Sequence, residues 1–140
     1  MEVEFVATVA VIAPDPALSR ELYAGALGLP LGGSEDDGYQ HTEAVEGLEH
    51  FGVWPLSQAA EACFGSPEWP AGRPVPQASI EFDLASPDAV AAAAQELQGR
   101  GFDVLHPARQ EPWGQTVARL QGPEGMIVGV AFTPGLRRRG

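Results

Sequence analysis

At 140 residues and a formal charge of −11, the chain is long enough for one domain with a real core, and too acidic for nucleic acid, whose binding rests on basic surface. It contains no apolar run of the roughly 18 residues that a membrane-spanning helix needs, and its start, Met1-Glu2-Val3-Glu4, lacks the basic segment of a signal peptide. The single cysteine, Cys63, excludes an intramolecular disulfide and a Cys-rich zinc site, and the lack of any lysine excludes Schiff-base chemistry.

The expectation is a cytoplasmic protein with no nucleic-acid or membrane partner. Three of the eight arginines stand at the end, Arg137, Arg138 and Arg139; nineteen acids against the other five leave −14 for the first 136 residues. Such a surface favours solubility and would draw a cationic ligand inward.

Phe5 to Ile12 reads as a strand, with Val9 and Val11 on one face and Thr8, Ala10 and Ile12 on the other. Asp15-Pro16 is a helix start, a capping residue followed by proline at the first helical position. Leu18, Leu22 and Ala26 follow at helical spacing, and Gly28 stops the helix. Leu29-Pro30-Leu31 is expected to be a short second strand, and Glu35-Asp36-Asp37-Gly38 a polar loop. Tyr39–Ala44 and Leu48–Trp54 then form a hairpin through Val45-Glu46-Gly47.

Between Pro55 and Gln77 the pattern changes. Ser57 can cap a short helix over Gln58–Cys63, and Pro67, Pro70, Pro74 and Pro76 then leave little room for regular structure. This is a linker, and periodicity does not place its Trp69.

Ala78 to Leu84 alternates strictly, with Ile80, Phe82 and Leu84 facing one way and Ser79, Glu81 and Asp83 the other. Ser86-Pro87 repeats the cap-proline start, and Val90, Ala94 and Leu97 continue at helical spacing up to Gly99 and Gly101. Phe102–Leu105 is a strand. The final hairpin runs from Glu111-Pro112-Trp113-Gly114 through Gln115–Leu120, turns at Gly122-Pro123-Glu124-Gly125, and returns over Met126–Val130. Gly-Pro-x-Gly suits a tight turn, since proline fixes φ and glycine takes positive φ freely.

The chain thus reads as βαβββ written twice. Pro16 and Pro87 stand 71 positions apart, as do Thr8 and Ser79. The expected organisation is a single α+β domain: a first module at 4–56, a proline-rich linker at 57–76, a second module at 77–133, and a basic tail at 134–140.

The repeat, and the Pro-Trp-Gly, strand, Pro-x-Gly, strand pattern at its end, resemble the vicinal oxygen chelate superfamily of glyoxalases, extradiol dioxygenases and bleomycin-resistance proteins. The resemblance covers roughly residues 4–133. It implies two modules whose sheets curve around a cavity, and a homodimer with ligand sites built between modules of the two chains. It also implies, in metal-dependent members, four inward ligands that are usually His, Gln or Glu. Carried over, those positions hold Thr8, Phe51, Ser79 and Gly129. Neither phenylalanine nor glycine supplies a side-chain N or O ligand, and a neutral Thr and Ser are poor substitutes. The expectation is therefore a protein with no cofactor and no tightly bound metal anywhere in its cavity.

The expected function is that of a metal-free binding protein of the bleomycin-resistance type, sequestering a planar aromatic or peptide-like natural product in antibiotic resistance or self-resistance. The expected ligand-binding residues are Thr8, Phe51, Trp54, Ser79, Glu81, Asp83, Trp113 and Gly129. Phe51, Trp54 and Trp113 would stack on the ligand, and Ser79, Glu81 and Asp83 would supply hydrogen bonds or charge. One alternative is a metal-dependent lyase or dioxygenase with displaced ligands, drawn from His41, His50, Glu43, Glu49, Glu81 and Asp83. Another is a structural or regulatory module with no small-molecule ligand. His106 reads as a loop residue, and Cys63 as a small buried apolar one.

Overall fold

The computed structural model describes residues 1–33 and 38–137, so the loop acids Glu35–Asp37 and the tail residues Arg138 and Arg139 lie outside the described residues. The elements in chain order are β1 (Phe5–Ala13), α1 (Pro16–Arg20) continued by a π-helical segment over Glu21–Ala26, β2 (Gln40–Thr42), β3 (His50–Pro55), α2 (Leu56–Phe64), β4 (Ala78–Asp83), α3 (Pro87–Gly99), β5 (Val104–Gln110), β6 (Thr116–Gln121) and β7 (Ile127–Phe132). The strands join in one curved, unclosed seven-stranded sheet, ordered β2-β3-β1-β4-β7-β6-β5.

Each half of the sheet has the same plan. The first and last strands of a half pair in parallel, β1 with β3 and β4 with β7. The halves meet where β1 and β4 run antiparallel at the centre. The helix starts work as the sequence implies: Asp15 Oδ1 accepts the Leu18 amide at 3.3 Å, and Ser86 Oγ accepts that of Ala89 at 3.1 Å. Each bond satisfies one of the first-turn donors that have no partner inside the helix.

α3 buries Val90, Ala93 and Ala94 against Leu84, Ala118 and Val130, the larger core cluster. Burying a valine or leucine side chain fully contributes about 1.5–3 kcal/mol. α1 does not repeat this. Leu18, Leu22 and Ala26 fall on no buried face: neither α1 nor its π-helical continuation has a buried residue, and Leu18 is 63% exposed and Leu22 49%.

Two further expectations are corrected. Leu29-Pro30-Leu31 is a turn rather than a strand; Leu31 donates its N–H back to the Leu29 carbonyl at 2.8 Å, and only Gly32 bridges to His41. Pro30 has no N–H to give a ladder. Ser57 is not the cap of α2, which starts at Leu56 with Pro55 in the cap position and no side-chain bond. At the start of the basic tail, Arg137 donates to Asp83 Oδ2 at 3.1 Å and to Glu4 Oε1 at 2.9 Å, and its guanidinium lies 4.7 Å from the Phe132 ring centre.

The linker is part of the core. Ala59 and Cys63 of α2 bury against Ile12 and Ile127, with Trp54, Leu56, Phe64, Trp69 and Leu105 packed around them. Trp69 sits edge-on to Phe64 at 4.9 Å and donates its indole N–H to the Pro74 carbonyl at 2.9 Å. Burial pushes the Cys63 thiol up to about 11, so it stays protonated at neutral pH. No helix among the described residues is long and apolar enough to cross a membrane.

Candidate functional site

Strand alternation and register decide which side chains enter the concavity. β1 pairs Thr8 with His50 on one side and with Glu81 on the other, and Glu81 pairs with Gly129. One row across the sheet therefore reads His50, Thr8, Glu81, Gly129. A one-residue step along a strand turns a side chain to the opposite face. His50, not Phe51, is thus the inward residue beside Thr8. Phe51 faces the other side, where its ring meets Tyr23 of the α1 continuation at 5.7 Å. An irregularity between Val6 and Thr8 shifts the β1–β4 register by one residue and sets Glu81, where the unshifted pairing would set Ile80, at the level of Thr8; Ser79 pairs with Ala10.

The concave face encloses a cavity of about 710 Å³. Among the expected ligand-binding residues, Thr8, Trp54, Ser79, Glu81 and Trp113 line it, and Phe51, Asp83 and Gly129 do not. Asp83 is fully buried and already engaged: Thr133 donates its N–H at 3.0 Å and its hydroxyl at 2.7 Å, and Arg137 completes the set. Gly129 contributes by what it lacks, since a Cβ there would lie 2.9 Å from Glu81 Cγ. It makes room for the Glu81 side chain rather than for a ligand ring.

One wall carries a polar cluster from a short stretch of chain. Tyr39 Oη lies 2.7 Å from His50 Nε2; His50 Nδ1 lies 2.6 Å from Glu43 Oε2, and His41 Nδ1 lies 2.8 Å from the same oxygen. The two imidazoles stack at 4.9 Å, and the Tyr39 ring stacks on His41 at 5.5 Å. With both rings neutral, each donates its Nδ1–H to Glu43, which leaves His50 Nε2 to accept from the Tyr39 hydroxyl. Burial lowers the pKa of His50 despite the opposing pull of Glu43. Burial, reinforced by Glu81 and Glu43, raises that of Tyr39. The result is a relay from a neutral phenol through a neutral imidazole to a carboxylate, open to the cavity.

The other wall is a hydrogen-bonded chain. Gln115 donates to Glu81 Oε1 at 2.8 Å and to Thr133 Oγ1 at 3.1 Å, and accepts from the Trp113 indole at 3.0 Å. Beside it Arg119, only 2% exposed, donates to Glu111 at 2.9 Å and to His106 Nε2 at 3.1 Å. Its guanidinium lies 5.6 Å from the centre of the Trp54 ring. His106 is a buried strand residue rather than a loop one, and burial pushes its pKa down to about 4.

Motif and composition do not single out Tyr39, Gln115 or Arg119 as site residues. Two of them left a signal. Tyr39, immediately before β2, and His41 within it are two apart and line the same cavity, and Arg119 is the one charge inside the apolar strand Thr116–Gln121. Gln115 precedes its strand, and nothing marked it.

The chain belongs to the glyoxalase/bleomycin resistance protein/dioxygenase superfamily, whose family model matches residues 6–130. Among solved structures it is similar to a member of that superfamily from Vibrio splendidus, at 12% identity and a TM-score of 0.61, over 94% of this chain and 100% of the other. It is also similar to a Streptomyces coelicolor methylmalonyl-CoA epimerase variant in complex with 2-nitronate-propionyl-CoA, at 15% identity and a TM-score of 0.51, over 95% of this chain and 99% of the other. Likeness at these identities shows the fold alone. A comparison with curated proteins finds no match.

The superfamily's metal-dependent members raise the question of fit. In the row His50, Thr8, Glu81, Gly129 only two positions carry a ligating group of the usual kind, and the space over Gly129 is taken by Glu81 itself. A four-ligand centre spanning both modules does not fit that row. The described residues do gather His41, Glu43 and His50, with one ligand atom from each all within 4.8 Å of one another.

Proposed function

We propose that the protein captures a small planar molecule bearing a cationic or donor-rich group in its concave cavity, as a sequestering member of the superfamily. One observation carries this reading. Glu81 is 9% exposed, lines the cavity, and among the described residues its carboxylate receives a hydrogen bond from neutral Gln115 but meets no cation. A buried carboxylate without a counter-charge is costly, so a cationic or donor-rich partner stabilises it. Glu111, by contrast, is matched by Arg119.

The aromatic surfaces support the same reading. Trp113 is 64% exposed at the rim, and Trp54 holds Arg119 against its ring deeper in the cavity. A ring stacked on Trp113 would contribute about 0.5–1.5 kcal/mol beyond its buried area. An aromatic antibiotic or peptide-like natural product matches this combination, and resistance or self-resistance by sequestration is the biological role proposed with it. A homodimer in the cytoplasm belongs to the same proposal; light scattering at micromolar concentration should then give twice the 14.7 kDa chain mass.

The experiment is a titration of planar antibiotics, cationic and neutral, followed by intrinsic tryptophan fluorescence. Trp113→Ala should weaken binding about tenfold, equivalent to about 1.4 kcal/mol. Glu81→Gln should weaken the cationic compounds and leave the neutral ones nearly unchanged. If nothing binds below about 100 μM, the capture reading fails, because such affinity amounts to only about −5.5 kcal/mol.

A further inference from the structure

We infer that His41, Glu43 and His50 form a three-ligand site for a first-row divalent cation, Zn²⁺ foremost, built within the first module. It goes beyond the capture reading and stands independently of it. The residues come from β2, the turn after it and the start of β3, and are brought together by the pairing of His41 with Gly52 and of Thr42 with Phe51. The site therefore owes nothing to β4 or β7. It differs from the superfamily's arrangement of ligands projected from both modules.

The donor set is chemically apt. Two imidazoles and one carboxylate suit Zn²⁺ and its first-row neighbours, and three protein ligands leave a position open towards the cavity that all three residues line. His41 Nδ1 and His50 Nδ1 converge on one oxygen, Glu43 Oε2, at 2.8 and 2.6 Å. A cation at about 2.0–2.2 Å from each ligand needs ligand atoms no more than about 4.4 Å apart. The three atoms lie within 4.8 Å of one another, and small rotations that open the two Nδ1–Oε2 contacts from 2.8 and 2.6 Å to the roughly 3.3 Å between tetrahedral ligands would seat the cation.

The supporting contact is also present. A metal-bound histidine usually donates its other ring N–H to an acceptor that fixes its orientation. Tyr39 Oη stands 2.7 Å from His50 Nε2. Moving the His50 proton from Nδ1 to Nε2 frees Nδ1 for the cation and turns that contact into a donor bond to Tyr39. Tyr39 is therefore a positioning residue. Its place depends on Gly52, where a Cβ would lie 2.5 Å from Tyr39 Oη.

The test uses the full chain without a histidine tag, freed of metal with a chelator and titrated with Co²⁺ and Zn²⁺. Visible absorption of bound Co²⁺ and calorimetry of Zn²⁺ give the readout. The expected result is one equivalent bound at micromolar affinity or tighter, with cobalt bands of a four- or five-coordinate site. His41→Gln, Glu43→Gln and His50→Gln should each weaken binding at least tenfold, and Tyr39→Phe by about 10–100-fold. Asp88→Asn, an exposed acid on α3, should change nothing. His41 is partly exposed, so its variant should fold, and circular dichroism checks that all the variants do. Trp113→Ala should leave cation binding intact while weakening the planar ligand, so failure of one proposal is distinguishable from failure of the other. No binding tighter than about 100 μM, or one-equivalent binding that ignores the ligand substitutions, overturns the site.

Discussion

The two modules open with the same signal and end differently. Asp15-Pro16 and Ser86-Pro87 each start a helix with a side-chain cap, yet α3 runs for 13 residues while α1 lasts 5 before passing into a π-helical segment. The second module has four strands, and α3 seals onto β5, β6 and β7. The first has three among the described residues, with Pro30 inside the strand expected at 29–31, and Leu18 and Leu22 of its helical stretch and Leu27 just after it stay exposed. The larger helix-covered apolar cluster lies in the second module, and the tyrosine, histidine and carboxylate cluster in the first. His41, Glu43, His50 and Tyr39 all come from the smaller half. A duplicated plan thus lets one copy carry the larger core while each copy supplies its own wall of the cavity.

Core substitutions test this difference most directly. Leu84→Ala, at a fully buried position in the larger cluster, should cost about 2–5 kcal/mol in chemical denaturation. Leu22→Ala, half exposed, should cost less than about 1 kcal/mol in the single chain. If a second copy covers the exposed leucines, Leu22→Asp lowers the mass seen by light scattering, and equal denaturation costs at the two sites would break the comparison.

Acid should act through both modules, since burial lowers the pKa of His50 in the first as well as that of His106 in the second. His106 has its pKa lowered from 6.5 to about 4 by burial, so the unfolded chain binds more protons between those values. Stability is then fully present above pH 6.5 and falls as pH drops towards 4, by up to about 3 kcal/mol. His106→Gln, which keeps an acceptor for Arg119, should flatten that acid limb in pH-dependent urea denaturation. An unchanged limb would place the acid sensitivity elsewhere.

The two halves also share a device, a glycine that makes room for a cavity side chain. Gly52→Ala sets a Cβ 2.5 Å from Tyr39 Oη, and Gly129→Ala sets one 2.9 Å from Glu81 Cγ. Each should cost about 1–3 kcal/mol through overpacking. They should differ in function: the first should weaken the cation and spare the cationic planar ligand, and the second the reverse. Loss of both activities in both variants would show that the walls are not separable. The smallest effect expected is Ser57→Ala, within about 0.5 kcal/mol, since Ser57 does not cap α2.

The sequence by itself determined the α+β fold, the cap-proline helix starts, the final hairpin and the strict alternation of β4. These are local signals: proline and glycine act on their own dihedrals, and a strand's period of two belongs to the strand alone. It also put Glu81 and Ser79 on one face and Trp54 and Trp113 among the candidates.

Tertiary structure decided the rest. Whether Phe51 or His50 enters the cavity depends on how β3 registers against β1, and a one-residue difference exchanges an aromatic outside for an imidazole inside. Asp83 left the ligand set because Thr133 and Arg137, about fifty positions away, reach it first. Trp69 joined the core because the proline-rich segment folds back onto Phe64 and Pro74. The His41, Glu43 and His50 cluster was visible as a possibility of composition, but only the closing of β2 on β3 brings its atoms to one point. Register and long-range pairing are properties of several segments at once, and no single stretch of this chain encodes them.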